Sequence, residues 1–174
     1  MSYTTLYRIT PKGRIIEQAE FHNSHRGAVM SWHELWKHYC QDRIDQLKKE
    51  NGWEPHFPVT DEDYRLVWAL FKKQDIPEYI RAVLGSSFDY VVLEKQHFER
   101  FYEDVLNYAG SFPAGTMIEQ AREIMKLKNR KVFGVCWNQT SVGDLLFRGM
   151  KISDDAWSLY GSIDKQKDTE NANR

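Results

Sequence analysis

Val29, Trp32, Trp36, Cys40, Ile44 and Leu47 recur at intervals of three and four residues. A strand places alternate residues on one face, whereas this spacing lines up a single stripe along a helix. The stripe therefore demands a long amphipathic helix, with a break allowed near Tyr39 to Asp42, and that helix needs another layer to cover it. Asn23 or Ser24 can cap its start, and Asn51-Gly52 can stop it.

The flanking segments supply that layer. Leu6 to Ile9 and Ile15 to Phe21 are β-prone and are separated by Thr10-Pro11-Lys12-Gly13. Proline presets the turn and glycine accepts the left-handed conformation that closes it, so a hairpin is expected. Far downstream, Val132 to Trp137 reads as the clearest buried strand, and Phe88 to Leu93 is a shorter β-prone run. Between them lie helical patterns. One begins at Thr60 with Asp61, Glu62 and Asp63 at the positive end of its dipole, and a short one follows Pro77. Another runs over Glu94 to Tyr108, and a further one is capped by Thr116. Trp53 to Val59, with Pro55 and Pro58, reads as an extended loop. Val142 to Phe147 fits either a helix or a loop. Asp154 or Asp155 caps a last short helix through Trp157 and Tyr160.

This order lacks the regular βαβ alternation of a doubly wound sheet. The expected fold class is α+β: a small antiparallel sheet, made of the N-terminal hairpin and a C-terminal strand, packed against several helices. Residues 1–163 are expected to form one domain. Residues 164–174 contain no large apolar side chain, so they are expected to be a disordered tail.

Composition narrows the function classes. With 24 basic and 25 acidic residues the net charge is −1, which argues against nucleic acid or an anionic membrane as the partner. A local basic stripe remains at Lys126, Lys128, Arg130 and Lys131, joined by Arg8, Lys12 and Arg14 if the hairpin lies nearby. No window approaches the apolar length of a membrane helix. Met1 to Thr10 has neither a charged leader nor a long apolar run, and the two cysteines do not make a disulfide framework, so a cytoplasmic setting is expected.

Aromatic residues make up 14% of the chain, and that excess can serve either a dense core or an interface. Trp53, Phe57 and Trp157 lie in loops or short ends and are the candidate interface anchors.

The other candidate site is Phe21-His22-Asn23-Ser24-His25-Arg26-Gly27, where a strand hands over to a helix. Backbone N–H groups at a helix start favour an anion, and His22, Ser24, His25 and Arg26 could surround it. Ordinary capping explains the same residues. If the strands that end at Phe21 and at Trp137 are neighbours with matching direction, His22, Asn23, Asn138, Gln139 and Ser141 meet at one sheet edge.

No metal or other cofactor is expected. The six histidines show no metal-binding spacing, and no phosphate-binding glycine loop occurs. Cys136, with His22 or His25 as base and Asn138 to orient it, has the residue types for nucleophilic catalysis. Its place between Val135 and Trp137 makes a buried, inert thiol the expected outcome.

Three segments carry a resemblance. They are Ala19-Glu20-Phe21-His22-Asn23-Ser24-His25-Arg26-Gly27-Ala28 with Trp32; Ser86-Ser87-Phe88-Asp89 with Val92 and Phe98; and Gly134-Val135-Cys136-Trp137-Asn138-Gln139-Thr140-Ser141-Val142. Together they resemble small accessory proteins of bacteriophages and prophages. The resemblance implies a mobile element in a bacterial cytoplasm and a protein that acts by binding a host or phage partner, including inhibitors of host defence. It assigns no functional residue. The leading expectation is a non-enzymatic protein-binding protein. The alternatives are a small-ligand protein or enzyme with an anion site at His22 to Arg26, and a nucleic-acid binder.

Overall fold

Hairpin formation follows the turn chemistry. In the computed structural model, which describes residues 3–22, 27–88, 91–138, 152 and 155–171, β1 (Tyr3–Ile9) and β2 (Ile15–His22) pair antiparallel. The Thr10 carbonyl accepts from Gly13 N–H at 2.9 Å, and Gly13 takes φ 75°, a region where a Cβ would be strained.

The long stripe becomes two helices, α1 (Gly27–Tyr39) and α2 (Gln41–Asn51), which meet at Cys40. Backbone bonds from Cys40 to Trp36 and from Ile44 to Cys40 bridge the break, so Trp36, Cys40, Ile44 and Leu47 all stay buried. Helix α3 (Asp61–Ala69) starts with a reciprocal cap: Thr60 Oγ1 accepts from Asp63 N–H, and the Asp63 carboxylate accepts from Thr60 N–H. Helix α4 (Glu78–Ser86) begins just after Pro77. Strand β3 (Val91–Glu94), α5 (Phe98–Ala109), α6 (Met117–Lys126) and β4 (Gly134–Asn138) follow, then β5 (Trp157–Ser158) and α7 (Leu159–Asn171).

The described residues form an α+β fold around a mixed sheet in the order β2-β1-β4-β3-β5. The hairpin and the late strand are neighbours, as expected, but two strands extend the sheet: β3 pairs antiparallel with β4, and β5 pairs parallel with β3. The sheet is therefore not wholly antiparallel. The two-residue β5 is too short to show a period, so only its partner reveals it.

Alternation sends Leu6, Leu93, Val135 and Trp137 toward the helices, where they join the main core with Trp36, Phe98, Phe101 and Tyr108. The opposite face carries a smaller cluster of Tyr7, Ile9, Ile15, Val92 and Cys136, packed by Ile152 and Ala156.

Four local expectations are corrected. Val132 and Phe133 precede β4 rather than belonging to it, and Phe133 is half-exposed, because the sheet ends there. Thr116 stands at the N-cap position of α6, but its hydroxyl makes no cap bond; it accepts from Gln120 Nε2, and Gln120 Oε1 accepts from the buried Trp137 Nε1 at 3.0 Å. Trp157 lies in a strand, and the last helix starts only at Leu159. Most consequentially, α7 continues through residues 164–171, read above as a disordered tail. Leu159, Tyr160 and Ile163 anchor it in the core, and Asp164 and Gln166 meet arginines that lie far away in sequence.

Candidate functional sites

The sheet places two residues of the expected polar corner on one face, with β1 between them. His22 stands opposite Tyr3 and Asn138 opposite Thr5, on either side of β1. The C-terminal ends of β2 and β4 thus point the same way, with one strand between them. Two strand spacings and a two-residue offset separate them by roughly 12 Å. Alternation places both residues on the sheet face of Tyr7 and Cys136. His22 is exposed and meets the Tyr3 ring edge-on at 5.0 Å. Asn23, Ser24, His25, Arg26, Gln139 and Ser141 lie outside the described residues.

The second region is the loop from Trp53 to Thr60, and its burial runs against composition. Pro55 and Pro58 are buried, while Trp53, Phe57 and Val59 remain 50%, 49% and 47% exposed. Trp36 Nε1 donates to the Pro55 carbonyl at 3.1 Å, tying the loop to α1. At the far end the fully buried Asp63 accepts from Val59 N–H at 3.2 Å and from Arg43 Nε at 2.9 Å. Burial alone would raise the Asp63 carboxyl, but these hydrogen bonds outweigh it and hold the group below its ordinary value. Phe57 stacks on His33 at 5.4 Å, and the neighbouring Trp32 contacts the 41% exposed Tyr64 at 5.7 Å. The outward rings therefore continue onto α1 and α3.

Trp157, the third expected anchor, is spent on internal contacts. It packs edge-to-face on Trp68 and Phe71 at 6.1 and 5.5 Å, extending a row that runs through Phe88 to Trp32. Much of the aromatic excess is consumed in this row.

Sequence reasoning missed a third cluster, where α7 docks on α4 and α5. Arg100 makes a two-pronged contact with Asp164, at 3.0 and 2.7 Å, and reaches Glu78 at 2.6 Å. Its guanidinium also lies 4.1 Å from the centre of the Tyr160 ring. The Tyr160 hydroxyl donates to Asp104 at 2.5 Å. Arg81 is buried; its Nε donates to the Phe71 carbonyl at 3.0 Å and its Nη2 to Gln166. Burial pushes Asp104 up to about 6, against the opposing effect of the Tyr160 hydrogen bond. With Asp104 and Tyr160 both buried and their bonds directed inward, this cluster is built to latch α7. Its signal was present in the helical spacing of His97, Arg100, Asp104 and Tyr108, where two charged residues interrupt an apolar stripe. The α7 partner of Asp104, Tyr160, lies in the expected last helix, but that of Arg100, Asp164, falls in the segment expected to be a tail.

Cys136 lies mid-strand, opposite Tyr7 and Val92, and burial pushes its thiol up to about 12, so almost no thiolate exists near neutrality. Among the described residues no group of three His, Cys, Asp or Glu side chains is placed to hold a metal ion. No described helix is long and apolar enough to cross a membrane. No protein-family model, curated protein or solved structure matches the chain.

Proposed function

We propose that this chain is a non-enzymatic binding protein that recognises another protein through the loop between α2 and α3. The observation that carries this reading is the inverted loop: two prolines are buried, a hydrogen bond fixes each end, and Trp53 and Phe57 are held outward. Trp and Tyr are favoured interface anchors, and a ring held in place before contact loses less entropy on binding. The setting in a phage or other mobile element, with a host or defence factor as the partner, rests on the resemblance of the three segments.

The test is affinity capture from bacterial lysates with wild-type protein and with Trp53→Ser/Phe57→Ser. Both positions are half-exposed, so the double variant is expected to fold normally. A stoichiometric partner retained by the wild type and lost by the variant is the expected result. A partner retained equally by both moves the interface elsewhere, and no partner across several host lysates overturns the reading.

A further inference from the structure

The strand order leaves β2 at one edge of the sheet, paired with β1 on its inner side. It runs for eight residues, which is long for an edge strand. Half of its backbone N–H and C=O groups face away from β1. Among the described residues, no backbone hydrogen bond outside the β1–β2 ladder reaches residues 15–22. The opposite edge is the two-residue β5, which offers no comparable template.

The register decides which side chains flank this edge. Leu6 faces Ala19 and Tyr7 faces Glu17, so Gln18 is an extra residue on β2, a bulge. Cross-strand partners share a face. Ile15 and Glu17 therefore stand with Ile9 and Tyr7 on the face away from the main core, while Ala19 and Phe21 stand with Leu6 toward it. Past the bulge the alternation resumes one step late, and Glu20, opposite Thr5, returns to the face of Glu17. An unbroken strand would send the two carboxylates to opposite faces. Glu17 and Glu20 are both exposed, and the neighbouring Ile16 is 39% exposed.

Bulges and edge charges keep sheets from pairing indiscriminately. Here they exclude one partner and favour another. Two copies of this chain paired antiparallel in full overlap along β2 would set Glu17 of each against Glu20 of the other. Like charges directly opposite are destabilising, so a second copy is disfavoured. A strand with basic side chains meets the same carboxylates favourably. On β1 the residues opposite Glu17 and Glu20 are Tyr7 and Thr5, two apart. A regular strand on the outer side meets them at that same spacing, and its intervening residue turns to the face of Ile16 and Ala19. We infer that β2 is a docking edge for an extended segment of another protein, which joins the sheet as a sixth strand and sets a basic–apolar–basic triplet opposite Glu17 and Glu20. Backbone hydrogen bonds supply the affinity, and the carboxylates select the partner. This edge shares no residue with the α2–α3 loop and does not depend on the reading given to that loop.

Fluorescence anisotropy with labelled synthetic peptides tests the assignment on the full chain. One peptide carries Lys-Val-Lys at the centre of a threonine- and valine-rich segment, and its twin carries Glu-Val-Glu there. The basic peptide should bind on the order of tenfold more tightly than the acidic one. Glu17→Lys/Glu20→Lys should reverse that preference. Both positions are exposed, so the variant is expected to fold normally. Two further basic peptides carry N-methyl groups on alternate amides, offset by one residue. The one that blocks the edge meeting β2 should lose binding, and the one that blocks the far edge should keep it. Bound basic peptide should slow amide exchange in β2 and leave α7 unchanged. Trp53→Ser/Phe57→Ser should bind the basic peptide as the wild type does. Absence of binding at millimolar basic peptide overturns the proposal. So does equal binding of the two N-methylated peptides, which would leave only charge attraction. A chain that sediments as a dimer with its β2 amides already protected overturns it in favour of a second copy.

Discussion

The α2–α3 loop and the α7 junction deploy the same residue types in opposite ways. In the loop and the first turn of α3 that closes it, Pro55, Pro58 and the carboxylate of Asp63 are buried, and the rings of Trp53 and Phe57 stay out. At α7 the ring of Tyr160 is buried, and the charges of Arg81 and Asp104 are buried with it. Side-chain polarity does not decide which groups enter. Availability of a partner does: Asp63 is met by two backbone N–H groups and Arg43, Asp104 by Tyr160, and Arg81 by the Phe71 carbonyl. Rings with no inward site are left at the surface, where they are free to bind something else.

The largest expected effect separates these two regions by stability. Tyr160→Ala removes a fully buried ring, strips Asp104 of its hydrogen-bond donor and uncovers Arg100. A loss of about 3–5 kcal/mol is expected from urea unfolding. Trp53→Ser/Phe57→Ser should stay within about 0.5 kcal/mol of wild type. Comparable losses in the two variants would mean that the loop rings also support the fold, and the contrast would collapse.

The next effect is a pH dependence. The carboxyl of Asp104 is raised to about 6 in the folded chain, chiefly by burial. Between its ordinary value near 3.8 and about 6 the folded state holds a proton that the unfolded state has released. Its contribution is therefore fully present below the lower value and is lost as pH rises through the upper one. About two pH units correspond to roughly 3 kcal/mol. Asp63, held low, acts in the opposite sense: its stabilisation is present above its ordinary value and is lost as pH falls through its depressed one. Urea midpoints at pH 4 and pH 7 should fall more with pH in wild type than in Asp104→Asn, which keeps an acceptor for Tyr160. Parallel curves would show that Asp104 titrates normally.

A smaller effect probes the fit of α7. A Cβ on Gly85 would lie 2.4 Å from Leu159 Cδ1 and 2.8 Å from Phe71 Cε2. Leu159 and Phe71 are both buried, so they have little room to yield. Gly85→Ala is expected to cost about 1–3 kcal/mol by overpacking, offset in part by the better helix propensity of alanine. Hydrogen exchange should quicken in the amides of α7 and remain unchanged in α1. Uniform quickening would mean that α7 does not open independently of the rest.

These contrasts explain what the chain disclosed before its structure was known. The hairpin, the α1–α2 stripe and the α3 cap were legible because their signals are local: Thr10-Pro11-Lys12-Gly13, a three-and-four spacing, and Thr60 with Asp63. The β5 strand and the full extent of α7 were not. Two residues carry no period, and Asp164 and Gln166 look like solvent-facing groups until Arg100 and Arg81 are brought to them. The candidate anchors divided for the same reason. Trp53, Phe57 and Trp157 look alike in sequence, yet only Trp157 has Trp68 and Phe71 waiting for it.

The smallest effect tests whether the loop is held in shape from within. Trp36 is buried, and its Nε1–H is given to the Pro55 carbonyl at 3.1 Å. Phenylalanine at this position keeps most of the apolar area but has no donor. The buried carbonyl would lose its partner, at a cost of about 1–2 kcal/mol including the space left by the smaller ring. The location of the loss is more informative than its size. If this bond holds the proline-in, aromatic-out arrangement, Trp36→Phe should speed amide exchange at His56 and Phe57 and leave the amides around Tyr160 untouched. Exchange in the loop that stays at the wild-type rate would show that the stiffness of Pro55 and Pro58, together with the Asp63 bonds at the far end, suffices. The outward rings would then owe their posture to backbone restriction rather than to a tether from α1.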